Sequence, residues 1–540
     1  MTHPSPTVAL AIEPATLHTW LSDSQEIALI DVSEAGQFGQ QHLLLASNLP
    51  YSRFEPALLD NVPRSGTRLV ITSTDGVLAQ LAAARAIDLG YHHVHWLAGG
   101  TRQWQQQGYK TFQGVNVPSK AFSEYVEHAF DTGSMTAEEL AHGQQSGHDL
   151  ILLDSRTLEE HRKFHVPGAI SCPGGEIVTR FADVVTSPDT LVVVTCAGRT
   201  RGIIGAQSLI DAGVPNRVVA LAGGTQGWRL AGLDLHYGPG QETQPASAAA
   251  QEKARASTHQ LEKRVGLARI DSETLQAWLA DPARTTYVFD IRSREEFEAG
   301  HLAGAVWAEG VQLIQCFDEY AVVRHARVVL IDNDGSRAVV VANWLHRLGA
   351  QVTLFTPSGE TPQATAPSAK TVTAPPDWEH IPSISAQTAW NWATEGAILL
   401  DARSSERYLQ SHAQGALWVN RATLPQAIIE QIAATGRAVI LADDDTVARL
   451  LAHTLLTRIG PTAASAELAI VEGGLTAWQT AGLAVDNTPH ELDNHARVDY
   501  LFWLHDRHAG NLEASAAYLQ WEADLPTQIG PASEAGFRLP

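Results

Sequence analysis

At 540 residues the chain exceeds what one hydrophobic core supports and predicts roughly three or four domains. Hydrophobic residues at 44% and charged residues at 18% fit a packed globular protein, and a formal net charge of -22 excludes a general surplus of basic surface for nucleic acid or anionic membranes. The opening segment "MTHPSPTVALAIEPA" lacks a basic stretch followed by an apolar one, no apolar run approaches the roughly 18 residues needed to span a bilayer, and three cysteines (Cys172, Cys196, Cys316) are no disulfide framework. The expectation is a soluble, cytoplasmic protein.

In chain order, an apolar run ending in an acid recurs: "IALIDVS" to Asp31, "LILLDSR" to Asp154, "YVFDIR" to Asp290 and "AILLDAR" to Asp401. A histidine-led turn follows each one, at His42, His165, His301 and His412. Next comes a β-branched run with the character of a strand buried on both faces: "RLVITS", "LVVVTC", "RVVLID" and "AVILAD". A helical pattern succeeds it. The first, second and fourth units then close on "LAGGTRQW", "LAGGTQGW" and "VEGGLTAW", whereas the third has "LFTPSGET". Strand and helix alternating at this period predict a parallel sheet with helices on both faces.

The acid-ended strand, the "HVPGA" turn, the cysteine loop "TCAGRTR" and the "LAGGTQGW" ending together resemble the rhodanese sulfurtransferases, over about residues 8 to 486 as four copies. The arrangement is similar to bacterial multidomain rhodaneses with a C-terminal helical tail. The expected fold is therefore α/β: four tandem rhodanese-like domains plus a helical extension. The boundaries are set at 8–118 (first, without cysteine), 132–240 (second, catalytic), 266–356 (third, with a degenerate end) and 379–486 (fourth). Between them, 241–265 reads as a linker or an isolated helix, 357–378 as a Pro/Thr-rich linker, and 487–540 as a tail of helices packed on the domains.

A thiol is a useful nucleophile only as thiolate. Cys196 ends a strand just before a helix, so the unpaired amides of Ala197, Gly198, Arg199, Thr200 and Arg201 can curl around its sulfur while the helix dipole favours negative charge. Gly198 permits the turn, and Arg201, which closes the loop, is the better placed of the two arginines to face a bound anion. Aligning the strands puts Ser73, Asp332 and Asp443 where Cys196 stands, with loop charges of -1, +2, -1 and -3 in chain order. The two aspartates are expected to accept the loop amides themselves. Only the second unit then combines a sulfur nucleophile with positive charge, leaving the others structural or partner-binding.

A related class of cysteine phosphatases places an arginine after five intervening residues. Here that position is Gly202 and the arginine comes one residue early, which disfavours phosphatase or arsenate reductase chemistry. The resemblance implies a persulfide on Cys196, loaded from an anionic donor such as thiosulfate or glutathione persulfide and discharged to a thiol or cyanide. The alternative is a scaffold that carries or senses persulfide sulfur. The resemblance also makes Asp154 and Arg156 an ion pair beneath the loop, while Glu160 stands where thiosulfate-specialised members carry an arginine. Arg180 is a candidate substitute charge at the mouth, and Gly223, Gly224 and Trp228 are expected to shape the wall. Cys172 is a candidate resolving thiol and Cys316 a core residue. His161 and His165 have metal-binding spacing, but nothing completes a ligand set, and "HDRH" at 505–508 reads as tail packing. No metal or cofactor is expected. The expected partners are a small sulfur donor and a thiol acceptor, with a protein acceptor or a homo-oligomer left open.

Overall fold

The four acid-ended runs form central strands of four separate sheets. In the computed structural model, which describes residues 8–357, 363–364, 381–460, 466–487, 492–502, 507 and 510–540, each repeat builds the same sheet. Its first short strand lies at one edge beside its last strand. The strand that precedes the cysteine position comes next, then the acid-ended strand, then the strand after the histidine turn. In the second repeat these are Ser134–Met135, Val218–Leu221, Leu191–Thr195, Leu150–Asp154 and Ala169–Ser171, all parallel, extended by Gln241–Glu242. Parallel strands covered by helices bury both faces, so Val192, Val193 and Val194 are all fully enclosed.

The repeats do not group in chain order. One compact unit comprises Met1–Ser22, Leu29–Gly114 and Thr371–Phe502, which carry the first and fourth repeats; the other comprises Asp23–Ala28, Val115–Lys370 and Trp503–Pro540, which carry the second, the third and the tail. Among the described residues no helix is long and apolar enough to cross a membrane.

The repeated histidine has a structural task. Its ring stacks on the aromatic residue four positions earlier, with centroids 3.9 Å apart for Phe38–His42, 4.2 Å for His161–His165, 3.7 Å for Phe297–His301 and 3.9 Å for Tyr408–His412. In each pair the histidine Nδ1 also bonds that residue's carbonyl, at 2.8 to 3.1 Å. The His161–His165 spacing is thus the turn's own stacking pair, with a histidine replacing the usual phenylalanine or tyrosine.

Two segments differ from expectation. Residues 241–265 are not an isolated helix: Ala248–Val265 buries Ala250, Ala254, Thr258 and Leu261 at fourfold and threefold spacing against the helices Ile177–Val184 and Ser336–Arg347. Ser247 caps its start, Gly266 ends it at φ 74°, and it joins the second repeat to the third. The helix Val117–Phe130, which lies mostly between the boundaries set for the first and second domains, buries Lys120, Ser123 and Glu124 as well as its apolar face. The tail contributes Leu512–Ile529, packed on Val117–Phe130 and Gly224–Leu230 through Ser515, Tyr518, Glu522, Leu525 and Ile529. The Pro/Thr-rich linker lies almost wholly outside the described residues.

Leu261, 1% exposed, should report the packing of the joining helix. Leu261→Ala is expected to cost about 2–4 kcal/mol in urea unfolding, against about 0.5 kcal/mol or less for Leu279→Ala at an exposed helix position. Equal effects would make 248–265 a mere tether.

Candidate active site

Thr195 pairs with Asp154, and Asp154 with Ser171, so the residues that follow these strands emerge together at one end of the sheet. Cys196 is the first residue past its strand and the helix Thr200–Asp211 starts four residues later. The amides of Gly198 and Gly202 point at the thiol, which is only 2% exposed. Ser155 ties the loop down: its hydroxyl donates to the carbonyls of Thr195 (2.9 Å) and Arg201 (3.0 Å).

The glycine pair seats the loop from the other side. The Cys196 carbonyl accepts the Thr225 amide at 2.8 Å, and Ala197 accepts the amide and side chain of Gln226 at 3.2 and 3.1 Å. Gly224 has φ +54°, and a Cβ there would lie 2.3 Å from the Cys196 carbonyl oxygen. Gly100 and Gly474 make the same close approach to the carbonyls of Ser73 (2.0 Å) and Ala442 (2.4 Å). Trp228 stands further back. It packs among Val193, Val219 and Leu221, with its indole N–H on the Asp234 carbonyl, and reaches the loop only through the turn it anchors.

Both arginines of the loop are engaged by carboxylates. Arg199 turns away to the preceding helix, bonding Glu124 at 2.8 and 2.7 Å and also Glu127. Arg201, 6% exposed, makes a bidentate pair with Glu160 at 2.5 and 2.8 Å and reaches Gln312 at 3.3 Å. Burial opposes ionisation of Glu160, but the Arg201 guanidinium more than offsets it and holds the carboxyl down at about 2. Arg180 is likewise engaged, by Glu176 (3.2 Å) and Thr243 (2.9 Å). Asp154 and Arg156 do form the buried pair, Nη2 to Oδ2 at 2.6 Å, with His161 Nδ1 3.0 Å from the same carboxylate oxygen. Burial pushes the Cys196 thiol up; Arg201 and the Gly202 and Gly198 amides oppose this without overcoming it, and the tail's Glu522 adds to the rise.

Thr200 donates to Glu522 at 3.3 Å and accepts from Ser123 at 3.2 Å. Glu124, Glu127, Ser123, Gln312 and Glu522 are therefore site residues that the reading of the loop missed. For Ser123, Glu124 and Glu127 the polar positions within the helical run "VPSKAFSEYVEHAF" were the available signal.

The other two thiols stand apart. Cys172 follows Ala169–Ser171, two strand spacings from the strand of Cys196. That is ~10 Å, beyond disulfide reach, and burial pushes its thiol up to about 12. Cys316 is half-buried at the break between the helices Gly310–Gln315 and Phe317–Tyr320, not in a core, and its thiol is pushed up by burial and then by Glu319 and Asp318. Of "HDRH" only Arg507 lies within the described residues.

The three loops without cysteine fill the same cradle differently. Ser73 Oγ accepts the amides of Gly76 and Ala79, both at 3.2 Å. Asp332 accepts those of Asn333 (2.7 Å), Arg337 (2.9 Å) and Ala338 (3.3 Å), the protein's own anion in the sulfur's place, as expected. Arg337 pairs with Glu296 as Arg201 does with Glu160. In the fourth repeat the alignment shifts by one: Asp401 pairs with Leu441, so Ala442 and not Asp443 stands where Cys196 does. Asp443 instead pairs with Arg407 at 2.6 Å, and Asp444 caps the helix through the Thr446 amide at 2.8 Å.

Two substitutions probe the loop. Glu160→Gln leaves Arg201 without its counter-charge, so the thiolate is favoured and the Cys196 pKa falls; alkylation of Cys196 against pH should shift about one unit lower, and an unshifted curve would show that Arg201 does not act on the sulfur. Because the folded Glu160 carboxyl is depressed from 4.5 to about 2, its contribution to stability is present above 4.5 and is lost as pH falls towards 2, so this variant should lose less stability in acid. Gly224→Ala should cost on the order of 2–4 kcal/mol through strain and clash, and should lower Tm more than Gly213→Ala, where φ is +75° but the space is open.

The rhodanese-like domain family matches the chain at residues 13–107, 136–231, 271–356 and 385–481. The structure superposes with a TM-score of 0.89 on thiosulfate sulfurtransferase from Pseudomonas aeruginosa, 36% identical, over 98% of this chain and 99% of that one. An HTH-type transcriptional regulator of Mycobacterium tuberculosis is 31% identical over 105 residues, 19% of this chain and 45% of the regulator. An uncharacterized protein of Synechocystis is 31% identical over 112 residues, 20% of this chain and 59% of its own length. The chain thus spans about half the length of these curated relatives. With four matched domains over more than half of its length, the chain belongs to the rhodanese-like domain family.

Proposed function

We propose that this chain is a sulfurtransferase that moves sulfane sulfur through a persulfide on Cys196. The observation that carries the reading is the cradle: of four equivalent strand ends, one presents a sulfur to inward-pointing amides, while the others present Ser73, Asp332 and Ala442. A cradle that Asp332 fills with a carboxylate is suited to holding a negative sulfur. In the first step the Cys196 thiolate attacks the outer sulfur of thiosulfate, forming a new S–S bond as sulfite leaves with the electron pair of the old one. A small persulfide would instead release its thiolate. In the second step a thiolate or cyanide attacks the outer sulfur of the Cys196 persulfide, which takes that atom and returns Cys196 to thiolate. The name of the Pseudomonas neighbour supports thiosulfate as donor; the neutralised arginines favour the less charged persulfides.

A second reading, a persulfide carrier, is favoured by the depth of the thiol under the tail. The thin use of cysteine suits a reducing compartment such as the cytoplasm for either role. Given a donor without an acceptor, the protein should gain the mass of one sulfur atom at Cys196, and Cys196→Ser should gain none while staying folded. Repeated turnover with a small donor and acceptor assigns an enzyme; a single loading that stalls assigns a carrier. Undiminished transfer by Cys196→Ser would remove the proposal.

A further inference from the structure

The second and third repeats meet through equivalent segments, and the contact runs both ways. Gly174 and Gly175 lie against Val311 and Gly310: a Cβ on Gly174 would come 3.1 Å from the Val311 side chain, and one on Gly175 3.2 Å from the Gly310 Cα. Each loop arginine then crosses to the other repeat. Arg337 Nη1 donates to Glu176 Oε1 at 2.8 Å, and Arg201 Nη1 donates to Gln312 Oε1 at 3.3 Å. The two acceptors are equivalent positions, each eleven residues beyond the histidine of its turn: Glu176 after His165 and Gln312 after His301. The donors are equivalent as well, each five residues beyond the first residue of its loop, Cys196 or Asp332.

The exchange is symmetric in place and unequal in charge. Arg337 pairs with three carboxylates, those of Asp332, Glu296 and Glu176. Arg201 pairs with Glu160, and the third repeat offers it an amide where the second offers Arg337 a carboxylate. A carboxylate at position 312 would add a negative charge on the guanidinium before the sulfur of Cys196 ionised, and so oppose that ionisation. Other charges face these groups. Asp154 and Glu309 also act on Arg201, Arg156 acts on Glu160, and Glu522 acts on Cys196. Burial pushes the Glu309 carboxyl up to about 7, so it is only partly ionised at neutral pH. The Cys316 thiol lies in the field of Arg201 too, and burial holds it neutral.

Resting on the persulfide reading of Cys196, we infer that Gln312 is a positioning residue of the sulfur-transfer site: meeting Arg201 with a neutral amide, where the reciprocal contact uses a carboxylate, it leaves more of the guanidinium's charge to the sulfur of Cys196. The third repeat, whose own loop holds Asp332 in the sulfur's place, thereby completes the site of the second. Gln312 acts through Arg201 alone. It takes no proton and no electron pair in either step of the transfer, whose bond changes are those already given.

The full chain carrying Gln312→Glu tests this, with alkylation of Cys196 followed against pH by mass spectrometry of its own peptide, which separates it from Cys172 and Cys316. The midpoint should rise by about one unit. Single-turnover loading of Cys196 from thiosulfate at neutral pH should slow at least about threefold, because the loss of thiolate outweighs its gain in nucleophilicity. Adding Glu160→Gln to Gln312→Glu removes one of the two carboxylates on Arg201, and the midpoint should return to that of wild type, a rescue that a packing role for Gln312 does not give. If Gln312→Glu alone does not fold, the double variant is compared with Glu160→Gln, and the same rise is expected between those two. A midpoint unshifted in folded Gln312→Glu, or a rise that Glu160→Gln fails to reverse, overturns the inference. Wild-type Cys196 that takes up no sulfur from any donor removes the persulfide reading and this one together, whereas equal loading rates in wild type and folded Gln312→Glu remove this one alone.

Discussion

Backbone amides at the start of a helix must bond to something, and in this protein that requirement organises every repeat. Where the strand ends and the helix begins, the chain curls so that an amide six residues on points back at the first residue of the loop: Ala79 at Ser73, Gly202 at Cys196, Ala338 at Asp332. The amides ask for a small electron-rich atom and are indifferent to which one. A hydroxyl, a sulfur and a carboxylate all satisfy them, so the first and third loops form without a thiol. The fourth repeat satisfies its helix in another way, with Asp444 as cap. Chemistry is thus a single-atom choice laid on a scaffold that is complete without it.

The same logic reassigns the charged residues. Arg201 with Glu160 recurs as Arg337 with Glu296, beside a loop that has no cysteine. Asp154 with Arg156 recurs as Asp290 with Arg292 and as Asp401 with Arg403. Pairs that persist without a nucleophile belong to the folding of the turn. What distinguishes the second repeat, beyond Cys196, comes from outside its sheet: Glu124 and Glu127 from the preceding helix, Gln312 from the third repeat and Glu522 from the tail. Burial leaves the Cys196 thiol on the high side although Arg201 and the loop amides oppose it.

The repeats, the acid–arginine pair and the glycine turn were legible because each is written within a few residues and repeated. The histidine turn is visible as a pattern, whereas its stacking on the ring four residues earlier depends on how the folded turn places the two rings. The position of Ala442 was hidden by the run "ADDDTV", where no local feature says which residue ends the strand; pairing of Asp401 with Leu441 decides it. The fate of the arginines could not be read from the loop at all. Counting charges over six neighbouring residues omits partners 75 residues earlier and 41 residues earlier, and only packing brings these together.

The contact between Thr200 and Glu522 joins residues 322 positions apart. A ribosome adding roughly 5 to 20 residues each second takes roughly 15 to 65 s to cover that interval. Throughout it, the strand, the cysteine loop and the glycine turn already exist as chain, yet the helix that closes over them does not. The nascent chain therefore passes through a period in which Cys196 has been made and Glu522 has not, so the loop first folds without its tail contact.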